Sequence, residues 1–248
     1  MSGSASGIGA AVRERLEKSG LKVVGLDRAD AEVVANLATQ AGRADAVART
    51  IEEAGGRLDG VVACAGLGPH VKPFEAIVRV NYFGALAYLD GLLPALELGE
   101  APAAVVISSN GATLTPRHDD LVATLLSDDE EGSAALAATL DGATVYGMSK
   151  LALTRAVRRR TARWADAGVR LNAVAPGPVD TPLLAASLAD ETLGPLVEAL
   201  PVPLGRRATP TEIAGAVGFL LDPVNGFVHG SLLFVDGGSD ALLRPDAP

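Results

Sequence analysis

A chain of 248 residues, 48% hydrophobic with 28 glycines, carries enough apolar material for a large core threaded by tight turns. Its formal net charge of -9 offers no favourable field to nucleic acid or to an anionic membrane, so both are excluded as partners. Cys64 is the sole cysteine, which rules out an intrachain disulfide, and no run has membrane-spanning length or a signal-peptide pattern, so a soluble cytoplasmic protein is expected.

The chain opens MSGSASGIGA, a glycine-rich turn with almost nothing before it. Ile8, Val12 and Leu16 then recur at helical spacing, and Gly20 stops the helix. Apolar runs at 21–26, 58–66, 102–109, 169–177 and 230–238 read as buried strands, with a weaker one at 33–37. Their near-continuous apolar character suits a parallel sheet covered on both faces. Helical patterns fill the gaps at 39–55, 74–98, 144–166 and 210–221, with Pro94 bending or ending the second. This alternation predicts one doubly wound α/β domain over residues 1–248, with helices on both faces. Residues 110–141 break the rhythm with an acidic run, Asp128-Asp129-Glu130-Glu131, and read as a helical insertion of one or two short helices forming a cap. Cys64 reads as a small buried residue, and Arg158-Arg159-Arg160 as a solvated helix face. His70, His118 and His229 show no metal-ligand spacing, so no metal is expected.

Two constellations carry chemistry. In the opening loop, Gly3 permits the tight turn, Gly7 lets backbone approach a phosphate, and Gly9 lets the helix pack close to the sheet. The helix beginning near Ile8 points free N–H groups at the anion. Asp27 lies twenty residues beyond Gly7 at the end of the next strand, where a carboxylate accepts from ribose hydroxyls and repels a 2′-phosphate. That favours NAD over its phosphorylated form. The second constellation is Tyr146-Gly147-Met148-Ser149-Lys150, whose Tyr and Lys share one helix face, with Ser109 upstream at a strand end. A phenol is a poor proton donor near neutral pH unless positive charge lies close by, and Lys150 would supply it. Ser109 would hold the substrate oxygen.

SGSASGIG, CAG (64–66), VNYFG (80–84), ISS (107–109), YGMSK (146–150), APGPVDTP (175–182) and FVDGG (234–238) together resemble the short-chain dehydrogenase/reductase family nearly end to end. Within it, the flavour is that of the branch acting on hydroxysteroids and bulky carbonyl compounds. The resemblance implies a Rossmann-like fold and an NAD(H)-dependent oxidoreductase interconverting a secondary alcohol and a ketone. It implies that Tyr146 is the acid/base, that Lys150 lowers its pKa and holds the nicotinamide ribose, and that Ser109 orients the substrate oxygen. Asn81 would support a water relay from Lys150, or serve as a helix-kinking structural amide. Gly3, Ser4, Ala5, Ser6, Gly7, Ile8 and Gly9 would wrap the pyrophosphate. Asn36 and Leu37 would flank the adenine, and Gly66 would sit close to the cofactor. Pro176, Gly177 and Thr181 would border the nicotinamide, with an N-cap the equal alternative for Thr181.

Against this pattern, the family's first strand is missing, because only Met1 and Ser2 precede the loop. Losing a mid-sheet strand removes two ladders of hydrogen bonds, so a chain of this length is expected to hold the loop poorly, and a native start some five apolar residues earlier is expected. A non-catalytic NAD(H)-binding or scaffolding protein is the alternative that this short start leaves open. On the substrate side, residues 183–204 are apolar and, with 110–141, would line a cleft for a steroid or bulky ketone, or form a cap that only covers the core. A homo-oligomer is expected, most simply a homodimer, using a surface other than 110–141.

Overall fold

The structure, a computed structural model, describes residues 1–247. Helix α1 (Gly7–Lys18) leads to the short strands β1 (Leu26–Asp27) and β2 (Val33–Val34), then α2 (Gln40–Glu53) and β3 (Gly60–Ala63). Next come α3 (Glu75–Val78), a π-helical turn (Arg79–Gly84), α4 (Ala85–Leu96) and β4 (Ala103–Ile107). The irregular stretch holds α5 (Gly111–Leu114), α6 (Asp119–Leu126) and α7 (Glu130–Ala137), followed by α8 (Gly142–Arg159), α9 (Thr161–Asp166) and β5 (Arg170–Pro176). The chain ends with α10 (Pro182–Leu188), α11 (Leu193–Glu198), α12 (Pro210–Leu221), β6 (Leu232–Val235) and α13 (Ser239–Leu243).

All strand pairs are parallel: β1 with β2, and β3-β4-β5-β6 in that order. Side chains alternate across the sheet. Val61, Ala63, Ala104, Val106, Leu171 and Ala173 face the core shared with α4 and α8. Val62, Val105, Ile107 and Val174 face the opposite core, where Val12 of α1 meets Ile213, Ala214 and Val217 of α12. Both faces are therefore buried, which accounts for the continuous apolar runs.

Between β1 and β3 the sheet is bridged by two residues. Ser2 bridges Leu26 on one side and Ala63 on the other, both parallel. Ser2 N donates to Val62 O at 2.9 Å, Leu26 N donates to Met1 O at 2.8 Å, and Ser4 N donates to Leu26 O at 3.3 Å. Residues 1–2 thus stitch the β1-β2 pair to the four-stranded sheet and anchor the glycine loop that follows. The strand expected over 21–26 shrinks to Leu26–Asp27, the two residues paired with β2, and Leu21 is left exposed.

The 110–141 segment also differs from expectation. It forms the one-turn α5 and two eight-residue helices, α6 and α7, three helices where one or two were expected. Leu121, Val122 and Leu125 are fully buried in the main core, where α6 packs on α8 and α7 on α3. The helix expected over 74–98 is interrupted by the π-helical turn, and Pro94 lies inside α4 two residues before its end. Of the arginine run, Arg158 and Arg159 are exposed, but Arg160 is half-buried and pairs with Asp90 at 2.7 Å.

Candidate active site

The carboxyl ends of the parallel strands open into one cleft of about 870 Å³, the position where open α/β sheets bind ligands. The opening loop forms one end. Gly3 is in the left-handed region at φ 69°, and a Cβ there would meet Ala65 N at 2.6 Å. A Cβ on Gly9 would lie 1.7 Å from Gly3 O, so the turn closes only with glycine at both places. Gly3, Ser6, Gly7, Ile8 and Gly9 line the cleft. Ser4 and Ala5 do not: Ser4 is buried with its hydroxyl 3.4 Å from Leu26 O, and Ala5 turns outward while its N–H donates to Asp27 Oδ2 at 3.0 Å. These two residues brace the loop.

The cleft end of α1 suits a phosphate group. Ser6, its N-cap, makes no side-chain cap, whereas Thr39, Asp141, Thr181 and Thr209 cap α2, α8, α10 and α12. Asp27, Asn36 and Leu37 line the same end, with Arg28 beside them. Glycine cradle, uncapped helix start and carboxylate together fit an adenine dinucleotide.

At the other end, β4 and α8 bring the reactive side chains together. Ser108 points into the fold, its hydroxyl 2.8 Å from Thr154 Oγ1. Strand alternation then turns Ser109 to the cleft, where it accepts from Gly111 N at 3.1 Å. Tyr146 and Lys150 lie one turn apart on α8, and both line the cleft. Lys150 is buried, donates from Nζ to Ile107 O at 2.8 Å, and stands 5.9 Å from the Tyr146 ring centroid. Burial lowers the Lys150 ammonium to about 8. Burial pushes the Tyr146 phenol up, and a hydrogen bond with Ser109 pulls the other way. The Lys150 ammonium is held beside the phenol by Ile107 O, and Ser109 opposes the effect of burial on Tyr146.

Asn81 is fully buried in the π-helical turn and does not line the cleft. Its Oδ1 accepts from Leu67 N at 2.7 Å and its Nδ2 donates to Leu67 O at 3.0 Å, so its amide fixes the loop after β3. Gly66 lies between Asn81 and Lys150: a Cβ there would stand 3.4 Å from the Asn81 Oδ1 and 3.5 Å from Nζ. Pro176, Gly177 and Thr181 line the cleft, and Thr181 also caps α10, accepting from Leu184 N at 3.2 Å. Cys64 lines the cleft as well, with burial pushing its thiol up to about 12, far from a nucleophile.

Leu183, Leu184, Leu193, Leu196, Val197 and Leu200 of the α10–α11 region form an apolar wall. The 110–141 segment contributes only Asn110, Gly111, Leu114, Thr115 and Pro116. Sequence reasoning missed the facing wall of Leu67, Val71 and Ala143; the signal available was apolar residues in a loop after a strand end. The histidines serve structure: His118 caps α6, His229 accepts from Leu171 N at 3.0 Å, and His70 Nδ1 lies 3.0 Å from Ser187 Oγ. Among the described residues no helix is long and apolar enough to cross a membrane.

Family models match both halves of the chain, one described as short chain dehydrogenase over residues 1–118 and one as enoyl-(acyl carrier protein) reductase over residues 132–240. A 3-alpha-hydroxysteroid dehydrogenase/carbonyl reductase of Comamonas testosteroni is 46% identical over 249 residues, covering 99% of this chain and 97% of the relative. A cis-4-hydroxycyclohexanecarboxylate dehydrogenase of Sinomonas cyclohexanicum is 31% identical over 265 residues, covering 98% and 96%. Among solved structures, the 3-alpha-hydroxysteroid dehydrogenase of Pseudomonas sp. B-0831 complexed with NADH superposes with a TM-score of 0.98 at 46% identity, covering 100% of this chain and 98% of that one.

Proposed function

This chain belongs to the short-chain dehydrogenase/reductase family, a family of oxidoreductases, and from that premise we propose that it interconverts a 3α-hydroxysteroid or bulky secondary alcohol and its ketone with NAD(H). The observation that carries the reading is the convergence of Ser109, Tyr146 and Lys150 at one end of a cleft whose other end carries the glycine cradle and Asp27. The apolar wall and the names of the two steroid-acting relatives support the substrate class. A non-catalytic role finds no support among the relatives, which are named as dehydrogenases and reductases.

Gly3, Ser6, Gly7, Ile8, Gly9, Asp27, Asn36, Leu37, Gly66, Pro176, Gly177 and Thr181 would hold the dinucleotide, with Ser4 and Ala5 bracing its loop. When bound, the nicotinamide gives or takes the hydride. Ser109 holds the carbonyl oxygen by hydrogen bonding, and the Tyr146 hydroxyl gives it the proton in reduction. Burial keeps that phenol protonated near neutral pH, the form an acid requires. In the oxidative direction Tyr146 must take a proton, a role favoured by Ser109 and by positive charge on Lys150. Asn81 acts through Leu67 on the loop beside Lys150, and a water relay from Lys150 past Gly66 would use this region.

The unit is read as one domain with 110–141 as its insertion, cytoplasmic, and assembling as a homodimer. The dimer reading rests on β6, which among the described residues has a neighbour on one side only, with exposed Phe219, Val224 and Phe227 nearby. A monomeric mass by light scattering would refute it. The activity is tested by following NADH and NADPH consumption with a 3-ketosteroid and with a small polar ketone. Faster NADH consumption with the steroid is expected. Turnover of neither ketone, with NADH binding intact, would overturn the substrate class.

A further inference from the structure

Arg43 on α2 is 6% exposed and bonded to five acceptors. Its Nε donates to Leu37 O at 2.8 Å, and its Nη2 donates to Ala38 O at 3.3 Å and to Arg79 O at 3.0 Å. Its two terminal nitrogens grip both oxygens of Glu130 at 2.7 Å each. Glu130 opens α7, eighty-seven residues away in sequence, and also accepts from Arg79 Nη1 at 2.9 Å. Two of the carbonyls that Arg43 holds, those of Leu37 and Ala38, belong to the turn between β2 and α2, and Ala35, Asn36, Leu37 and Ala38 of this turn line the cleft at its Asp27 end.

We infer that Arg43 and Glu130 are positioning residues through which the 110–141 segment sets the adenine end of the dinucleotide site, an inference that rests on the reading of the cleft as NAD-binding. A planar guanidinium is suited to this task, because its donors point in fixed directions and can grip a carboxylate on one edge and backbone carbonyls on the others. Glu130 fixes the plane. Its carboxyl is held below the ordinary range chiefly by the Arg43 bond. Without that charge, a buried guanidinium is left half-satisfied and must turn toward other acceptors or water, releasing the Leu37 and Ala38 carbonyls. The neighbouring Glu131 is exposed and pairs only with Arg79, so it has no such lever.

The test uses the full chain as Glu130→Gln, as Glu131→Gln, and as the double variant Arg43→Met/Glu130→Met, with melting temperature, NADH and ADP-ribose titrations and steady-state kinetics for each. For Glu130→Gln, the dissociation constants of NADH and ADP-ribose and KM for NADH are expected to rise about tenfold. Its kcat at saturating NADH and its KM for the carbonyl substrate should stay within twofold. Glu131→Gln should match the parent throughout. The double variant removes the buried charges, so it should recover thermal stability while NADH affinity stays weak. Unchanged NADH and ADP-ribose affinity in Glu130→Gln overturns the inference, as does recovery of NADH affinity in the double variant, which would reduce the pair to a purely structural element. Failure of the parent chain itself to bind NADH would instead overturn the cofactor reading and the inference with it.

Discussion

Lys150 Nζ donates to the carbonyl of Ile107 at 2.8 Å while standing 5.9 Å from the ring of Tyr146, so the ammonium is anchored to the end of β4 beside the phenol. Burial takes its pKa from an ordinary 10.5 to about 8. Between those two values the unfolded chain holds more protons than the folded one, so stability contributed by this site rises as pH increases through that window. Below about pH 8 the fold carries a buried charge that it disfavours. Lys150→Met is therefore expected to stabilise the cofactor-free protein at neutral pH by about 1–2 kcal/mol, less than the full shift because Ile107 O loses its donor. The same variant should lose nearly all turnover. Denaturant melts at pH 7 and pH 10 check it: the gain should shrink at the higher pH, and a destabilised variant at pH 7 would contradict the assignment.

Tyr146→Phe removes the hydroxyl proposed to carry the proton and is expected to cut kcat by about 10²–10⁴-fold, the usual range for a positioned acid or base. NADH affinity, measured by fluorescence titration, should change little. Turnover within tenfold of the parent would place the proton elsewhere.

Ser109 is the group that opposes burial at Tyr146. Ser109→Ala leaves burial unopposed, so the phenol should rise further. In the oxidative direction, where the base form is required, the midpoint of the rising limb of kcat against pH should move upward. A loss of about 10²-fold in kcat is expected as well, typical of removing one preorganised hydrogen bond to the reacting oxygen. A lower kcat with an unmoved profile would restrict Ser109 to substrate binding.

Much of this site was legible because its features are local. Thr209-Pro210-x-Glu212 is a capping box with proline at the first helical position, and α12 starts and ends where the apolar pattern says it should. Ser109, Tyr146 and Lys150 follow from a strand end and one helical turn. The rest depends on partners distant in sequence. The run at 21–26 has strand composition, yet pairing depends on what lies beside it, and Met1, Ser2 and β2 reach only its C-terminal end. The acidic run at 128–131 read as part of a cap, whereas Glu130 is committed to Arg43 and Arg79 across the fold. Periodicity alone continues through Arg79–Gly84, and the π-helical turn there shows only in the structure.

His70 and Ser187 are joined at 3.0 Å, tying the loop after β3 to α10, which carries part of the apolar wall. Ser187 is buried and donates onward to Leu183 O at 3.0 Å, so the contact fixes the helix at the level of Leu183. His70→Ala should let α10 move away from the opposite wall. KM for a bulky ketone is expected to rise about fivefold, in line with one hydrogen bond, with NADH affinity within twofold. An unchanged KM for large and small ketones alike would show that the wall holds without this tie.

Asp27 combines two tasks: one oxygen accepts from Ala5 N at 3.0 Å, and the carboxylate lines the cleft beside Arg28. Asp27→Ser keeps an acceptor for the loop and removes the charge proposed to repel a 2′-phosphate. The preference for NADH over NADPH, as the ratio of kcat/KM values, should fall by about tenfold or more, with Arg28 free to meet the phosphate. A ratio that does not move would assign cofactor choice to another residue.

Gly9 tests the cradle itself. A Cβ at this position would lie 1.7 Å from Gly3 O and 2.7 Å from Gly3 C, distances that rotamer adjustment cannot relieve because the neighbour is backbone. Gly9→Ala must push α1 away from the loop, and α1 packs its Val12 against α12 on the sheet. The variant is expected to lose NADH binding by at least about 10²-fold and to melt several degrees lower, the strain being shared between loop and helix. Gly20→Ala is the matched comparison: its Cβ meets nothing within 4 Å, but its φ of 82° imposes backbone strain far from the cleft. It should lower stability while leaving NADH affinity intact, and equal losses of affinity in the two variants would show that the close approach of Gly9 to Gly3 is not what shapes the site.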